Sequence, residues 1–112
     1  MIEQIVLDYL EGQEDLPPVY MERPASLPST PFIVLEKTGS SMRNHIYSAT
    51  IAAQSYAPTM LEAAQLNEAV KAAMLDIVAL PEISAVDFTD YNFTDTALKR
   101  YRYQAVFDII HY

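Results

Sequence analysis

The sequence has no cysteine, no tryptophan and only two glycines among its 112 residues. Without cysteine it can form neither disulfides nor thiolate metal sites, and it has no cysteine nucleophile. Gly12 and Gly39 cannot supply the glycine-rich loop that holds nucleotide phosphates. No apolar run approaches the roughly 20 residues of a membrane-spanning helix. These absences argue against a disulfide scaffold, a nucleotide-binding loop and a membrane-embedded protein.

Basic residues are scarce, and the net charge is -8. The first 22 residues contain no Lys or Arg but carry six acidic side chains, namely Glu3, Asp8, Glu11, Glu14, Asp15 and Glu22. This balance argues against general nucleic-acid binding, which requires cations to displace counterions from phosphates. The uneven charge suits head-to-tail contact between identical copies, although an ordinary solvated surface can also be uneven. We predict that Arg43, Arg100 and Arg102 contact the acidic N-terminal region of a neighbour.

Hydrophobic periodicity and turn residues predict seven elements along the chain. The central helix is the clearest, because Thr59 and Glu62 match the capping-box pattern and an apolar stripe follows at helical spacing. Pro81 is expected to end it. In order, the predicted elements are helix 2–11, an extended segment 19–22, strand 32–37, strand 45–56, a helix of about 20 residues from Thr59, strand 83–88 and strand 99–112.

The element order predicts an α+β domain over residues 1–112. We expect a mainly antiparallel β-sheet of about four to five strands, flanked by the N-terminal helix and one long central helix. Residues 38–44 are interpreted as the tip of a hairpin and residues 23–31 as a proline-containing loop. Residues 90–96 are interpreted as a polar loop.

No catalytic, cofactor-binding or metal-binding pattern is found, so we predict that the protein is not an enzyme and has no cofactor. His45 and His111 would need a third metal ligand that the sequence does not identify. A calcium loop starting at Asp90 fails at two diagnostic positions, where Asp95 replaces glycine and Tyr101 replaces glutamate. The eight tyrosines suit a protein interface, single-strand stacking or plain sheet packing.

Four stretches, in this order, resemble the tail terminator or head–tail joining proteins of long-tailed bacteriophages and prophages. The first is a strand that runs into a glycine, and the second ends in a Gln-Ser-aromatic step. The third lies in the capped helix, and the fourth joins an aromatic turn to the last strand. The stretches are Pro31–Gly39, His45–Ala57, Glu62–Asn67 within the helix from Thr59, and Tyr91–Asp95 followed by Lys99–Ile109.

The resemblance implies a sheet flanked by helices and a homo-oligomeric ring, expected to be a hexamer, that caps the finished tail tube. Its implied partners are the tail tube protein and the head connector or head-closure protein. Loops 23–31 and 38–44 are expected to reach neighbouring subunits and the partner rings. DNA is expected to pass through the lumen without specific binding. The implied location is the tail–head junction of the virion, with the host cytoplasm as the site of assembly.

Two other functions stay open at this point. One is a neck, head-closure or other minor tail protein of similar size. The other is a small cofactor-free ligand-binding domain or enzyme with a cleft between sheet and helix. A ring-shaped oligomer or binding to the tail tube favours the tail terminator, whereas a monomer or dimer with a deep, polar-lined pocket favours the ligand-binding domain.

Overall fold

A computed structural model describes residues 2–14, 16–21, 31–43, 46–92 and 101–111. The elements in these residues are α1 (Ile2–Glu11), β1 (Val19–Tyr20), β2 (Phe32–Arg43), β3 (Ile46–Ala57), α2 (Met60–Leu75), a 3-10 turn (Asp76–Ala79), β4 (Ile83–Asn92) and β5 (Tyr101–His111). The five described strands form one sheet in the order β1-β2-β3-β5-β4, and every neighbouring pair is antiparallel except β1 and β2. The predicted α+β class and element order are confirmed.

Helix α1 forms because its apolar residues recur every four positions. Ile2, Val6 and Leu10 are buried on one face of the helix, and this periodic burial stabilises a short helix that would be marginal alone. The helix ends at the predicted place, where the Gly12 amide donates a hydrogen bond to the Asp8 carbonyl over 3.1 Å.

Helix α2 begins at its predicted cap. The Thr59 hydroxyl accepts a hydrogen bond from the Glu62 amide over 3.2 Å, which satisfies one of the free donors of the first turn. The regular helix is shorter than predicted, because it ends at Leu75 and continues as the 3-10 turn to Ala79. Pro81 follows closely, and the residue before a proline disfavours helical backbone.

The main core lies between one face of the sheet and the two helices. Alternate residues of the central strands face this layer, including Ile51 of β3 and Phe107 of β5, both almost fully buried. Helix α2 contributes Val70 and Met74 from its apolar stripe. We call this side of the sheet the helix face and the other side the open face, since no described helix covers it.

The interpretation of residues 38–44 as a hairpin tip is wrong for 38–43, and Asn44 lies outside the described residues. Residues 38–43 continue β2 and pair with β3 as far as Arg43 opposite Ile46. The polar Thr38-Gly39-Ser40-Ser41 sequence looked like a turn, but long-range pairing with β3 overrides this local preference. The glycine has open space around it and no left-handed backbone, so the chain does not turn there.

Two further loop predictions meet the structure only in part. Residues 90–92 belong to β4, which runs to Asn92 and pairs with β5. The predicted polar loop there is therefore wrong for these three positions, whereas 93–96 lie outside the described residues. The predicted loop 23–31 also lies outside them, except for Pro31.

Asp90 belongs to a polar cluster whose hydrogen bonds connect β4 to α2. Its carboxylate accepts hydrogen bonds from the Lys71 ammonium and the Asn67 amide, both over 2.9 Å. Lys71 also pairs with Glu68 over 2.8 Å and lies 5.2 Å from the centre of the Phe88 ring. The hydrogen bond from Lys71 lowers the pKa of Asp90, and the bond to Asp90 raises the pKa of Lys71.

We expect Asp90→Asn to lower the free energy of unfolding by about 1–2 kcal/mol at neutral pH, because the ammonium of the largely buried Lys71 side chain loses a charged acceptor. The folded pKa of Asp90 lies below its ordinary value of 3.8. Its contribution is therefore present above that value and is lost as the pH falls through the folded pKa. Urea unfolding of both proteins at pH 7 and at about pH 2 should show the difference shrinking in acid.

The matched control is Glu82→Gln, at an exposed carboxylate just before β4. This change should leave stability unaltered at both pH values. An Asp90→Asn protein as stable as the original at pH 7 would contradict the role of the cluster.

Candidate assembly surface

One end of the sheet is exposed on both faces. It consists of residues 39–43 of β2, 46–48 of β3 and 110–111 of β5, and we call it the distal blade. Large apolar side chains are exposed there instead of buried: Met42 by 56%, Ile46 by 44%, Tyr47 by 43% and Ile110 by 41%. Clustered exposed apolar side chains mark interaction sites more often than scattered ones do.

A β-bulge lies at the base of the distal blade, between Lys37 and Gly39. Thr38 is the extra residue, because Lys37 pairs with Ile51 and Gly39 pairs with Thr50. The Thr38 hydroxyl donates to the Thr50 carbonyl over 3.4 Å. Beyond the bulge Met42 lies opposite Tyr47.

The helix-face side of the distal blade contains an aromatic pair. The Tyr47 ring stacks on His111, with ring centroids 5.4 Å apart. These side chains and Met42 line a groove of about 520 Å³ whose other wall is the first turn of α1, including Ile2 and Ile5. The groove is a surface feature, since Met42 and Tyr47 are themselves largely exposed.

On the open face, the distal blade carries both apolar and hydroxyl side chains. Ser48 of β3 lies opposite both Ser41 of β2 and Ile110 of β5. Together with Ile46 and Arg43 they line a second groove of about 380 Å³. The distal blade therefore offers contact area to a partner on both of its faces.

Arg43 lies at the end of β2, opposite Ile46, and its side chain is exposed. Its guanidinium forms no hydrogen bond or ion pair with any other residue of the described ranges. No Asp or Glu occurs between Glu36 and Glu62, so the distal blade is free of acidic residues in a strongly acidic protein. This gap in the acidic residues is the sequence signal that could have identified the β2 and β3 parts of the surface. Charge predicted only Arg43 as a contact there, and the resemblance predicted contacts for 38–44.

Arg102 lies at the opposite end of the open face. Its guanidinium donates to the Tyr56 hydroxyl over 2.8 Å and lies 5.7 Å from the centre of that ring. Tyr56 in turn stacks on Phe32 at 4.6 Å, and Tyr20 meets Phe32 edge-on at 6.0 Å. The side chain thus has a partner within its own chain, and its predicted contact with a neighbour stays a prediction.

The structure does not bring Arg43 and Arg102 together. Arg43 and Arg102 pair with opposite ends of β3, at Ile46 and Tyr56. Ten residues of strand separate these positions by about 33 Å. Arg100 lies outside the described residues.

Neither described helix is long and apolar enough to cross a membrane. Within the described ranges, no three His, Asp or Glu side chains gather as a metal site requires. His111 stacks on Tyr47, and His45 lies outside those ranges. Comparison with known protein families finds none that matches this chain, and a search of curated proteins finds no similar sequence.

Proposed function

We propose that this protein is a structural subunit of a bacteriophage tail, which assembles as a ring, caps the tail tube and forms the joint with the head. The proposal rests on the resemblance stated above and on the distal blade. It gives the protein a role at the tail–head junction of the virion, with the tail tube protein and a head connector or head-closure protein as partners.

The observation that carries the proposal is the two-sided exposure of the distal blade. The distal blade exposes two large apolar side chains on each of its faces. They would cost solubility without a partner, and the fully buried centre of protein interfaces is apolar and aromatic. A subunit of a closed ring needs such a surface, since each copy contacts two neighbours through different patches.

The acidity of the chain supports the same role. The resemblance implies that DNA passes through the ring, and acidic side chains facing a lumen repel phosphates and prevent adhesion. Asp87 and Asp108 lie opposite each other on β4 and β5, on the open face. Within the described residues, the only hydrogen bond of the Asp108 carboxylate comes from the Thr50 hydroxyl, over 2.8 Å.

The groove beside α1 favours a second candidate, a small ligand-binding domain. Its volume of about 520 Å³ falls in the range of small-molecule sites. Its walls combine polar and apolar side chains, of which Met42 and Tyr47 are largely exposed, with one ion pair between Lys37 and Glu3 at 3.2 Å. Such a lining fits a protein contact better, because ligand sites enclose most of the ligand surface.

The test is the mass of the purified protein by light scattering over a range of concentration and salt, followed by pull-down with assembled tail tubes from the same phage genome. We expect a ring, or a monomer that tail tubes capture at their ends in electron micrographs. A strict monomer that tubes do not capture would remove the tail proposal and leave the ligand-binding domain.

A further inference from the structure

We infer that the distal blade of one copy docks on the acidic carboxyl end of α1 in the next copy, as a head-to-tail contact. The inference deepens the proposed function and rests on it in one respect, that the chain assembles with itself. The partner of the distal blade is a second copy of this chain. We infer this because the distal blade carries Arg43 and no acidic residue, whereas the end of α1 is acidic.

Helix α1 has an unbalanced acidic end. Asp8 and Glu11 lie in its last turns, Glu14 follows directly, and all three are exposed. The last turn contains no basic residue. The carboxyl end of a helix already carries partial negative charge, so acidic side chains there are unfavourable and a cation is favourable.

No cation of the described chain reaches this acidic end. Lys37 is paired with Glu3 in the first turn of α1, and Lys71 is paired with Glu68 and Asp90. Arg43 has no ion pair among the described residues and lies on the acid-free distal blade. Among the described residues, the distal blade with Arg43 and the acidic end of α1 therefore have complementary charge, and a second copy can bring the two surfaces together.

The same chain cannot make this contact with itself. The groove beside the distal blade reaches Ile2 and Ile5 in the first turns of α1, whereas Glu11 lies nine residues from Ile2, or about 13 Å farther along the helix. Because the two surfaces differ, each copy contacts one neighbour through its distal blade and the other through its α1. Such contacts close into a ring when the rotation between successive copies permits.

The absence of native cysteine allows a direct test by disulfide trapping in the full-length protein. Met42→Cys in one preparation and Glu11→Cys in another are mixed at low salt and oxidised, and the mixed disulfide is measured by mass spectrometry. Glu82→Cys, at an exposed acid outside α1, replaces Glu11→Cys in the control. We expect the Glu11 partner to give several times more mixed disulfide than the Glu82 partner, with the excess falling as salt screens the contact.

Charge reversal tests the same contact from both sides. Adding Arg43→Glu to the Met42→Cys chain should lower the trapped yield by about tenfold, because like charges then face each other. Asp8→Lys with Glu14→Lys in the Glu11→Cys chain should also lower it. Mixing the two reversed chains should restore the yield, which a merely misfolded variant would not do. Circular dichroism melts establish that each variant is folded.

The outcomes separate this inference from the proposed function. The contact is overturned if Glu11→Cys and Glu82→Cys give equal yields of mixed disulfide. It is also overturned if mixing the two charge-reversed chains does not restore the yield. Capture of an Arg43→Glu protein by tail tubes at the original level also overturns it, while leaving the capping role intact. Specific trapping without tube capture retains the contact and removes the capping role. Duplex DNA that abolishes trapping would mean that the distal blade binds nucleic acid and would overturn the inference.

Discussion

Phe107→Ala should lower the free energy of unfolding by about 3–5 kcal/mol, the largest stability loss that we expect from any single substitution. Phe107 is completely buried at the centre of β5, opposite Ile51 of β3 and Phe88 of β4. Truncation leaves a ring-sized cavity between the sheet and the helices, which rigid strands on both sides cannot fill. Chemical unfolding followed by far-ultraviolet circular dichroism measures the loss.

Phe88→Ala is the matched control, since it deletes the same atoms from the neighbouring strand. The Phe88 ring is 37% exposed, and its centre lies 6.2 Å from that of Phe107. Its truncation should cost clearly less, about 1–2 kcal/mol. If Phe107→Ala fails to fold, Phe107→Leu provides a smaller deletion that can still be measured. Equal losses at both positions would contradict the described core.

The second large effect concerns assembly. We expect a triple variant, Met42→Ser, Ile46→Ser and Ile110→Ser, to reduce capture by tail tubes more than about tenfold, because buried apolar anchors carry most of the energy of an interface. Pull-down followed by quantitative gel densitometry measures the reduction. Unfolding free energy should change little, since the three side chains are exposed in the single chain and substitutions at such sites usually have small effects.

A control with a similar loss of exposed apolar surface is available outside the distal blade. Leu61, Leu75 and Val78 are exposed by 68%, 43% and 46% in α2 and the 3-10 turn. Their replacement by serine should leave capture unchanged. If this control loses capture while the distal-blade variant retains it, the assembly surface lies on α2 and the proposed site is wrong.

The helices could be predicted from the sequence because their signals are local. Burial of Ile2, Val6 and Leu10 follows from their spacing alone. The cap at Thr59 follows from the two residue types of the capping box. Each of these features depends on residues within one or two turns, and no distant part of the chain competes with them.

The length of the β2–β3 hairpin could not be predicted in the same way. Residues 38–43 contain Gly39 and three hydroxyl side chains, which favour turns locally. Their strand state depends on cross-strand partners up to Ile46, and the outer end of β3 is in turn paired with β5, about sixty residues later in the chain. Pairing over that separation is invisible to a reading of one segment at a time.

The candidate site could be predicted only in part for a related reason. A charge argument identified Arg43, but exposure of Met42, Ile46 and Tyr47 depends on which part of the sheet the helices cover. The same argument identified Arg102, whose contact with Tyr56 arises from strand register. Alternation along one strand predicts two faces, but it does not predict where the covering layer stops.

The bulge at Thr38 has a geometric consequence for a ring. A bulge increases the local twist of a strand pair, and this one lies at the base of the distal blade, between Lys37 and Gly39. Deleting Thr38 would restore regular alternation and keep Met42 and Arg43 on their present faces, while changing the direction in which the distal blade points. In a head-to-tail assembly that direction sets the rotation from one copy to the next. The single extra residue would therefore control how many subunits complete a full circle.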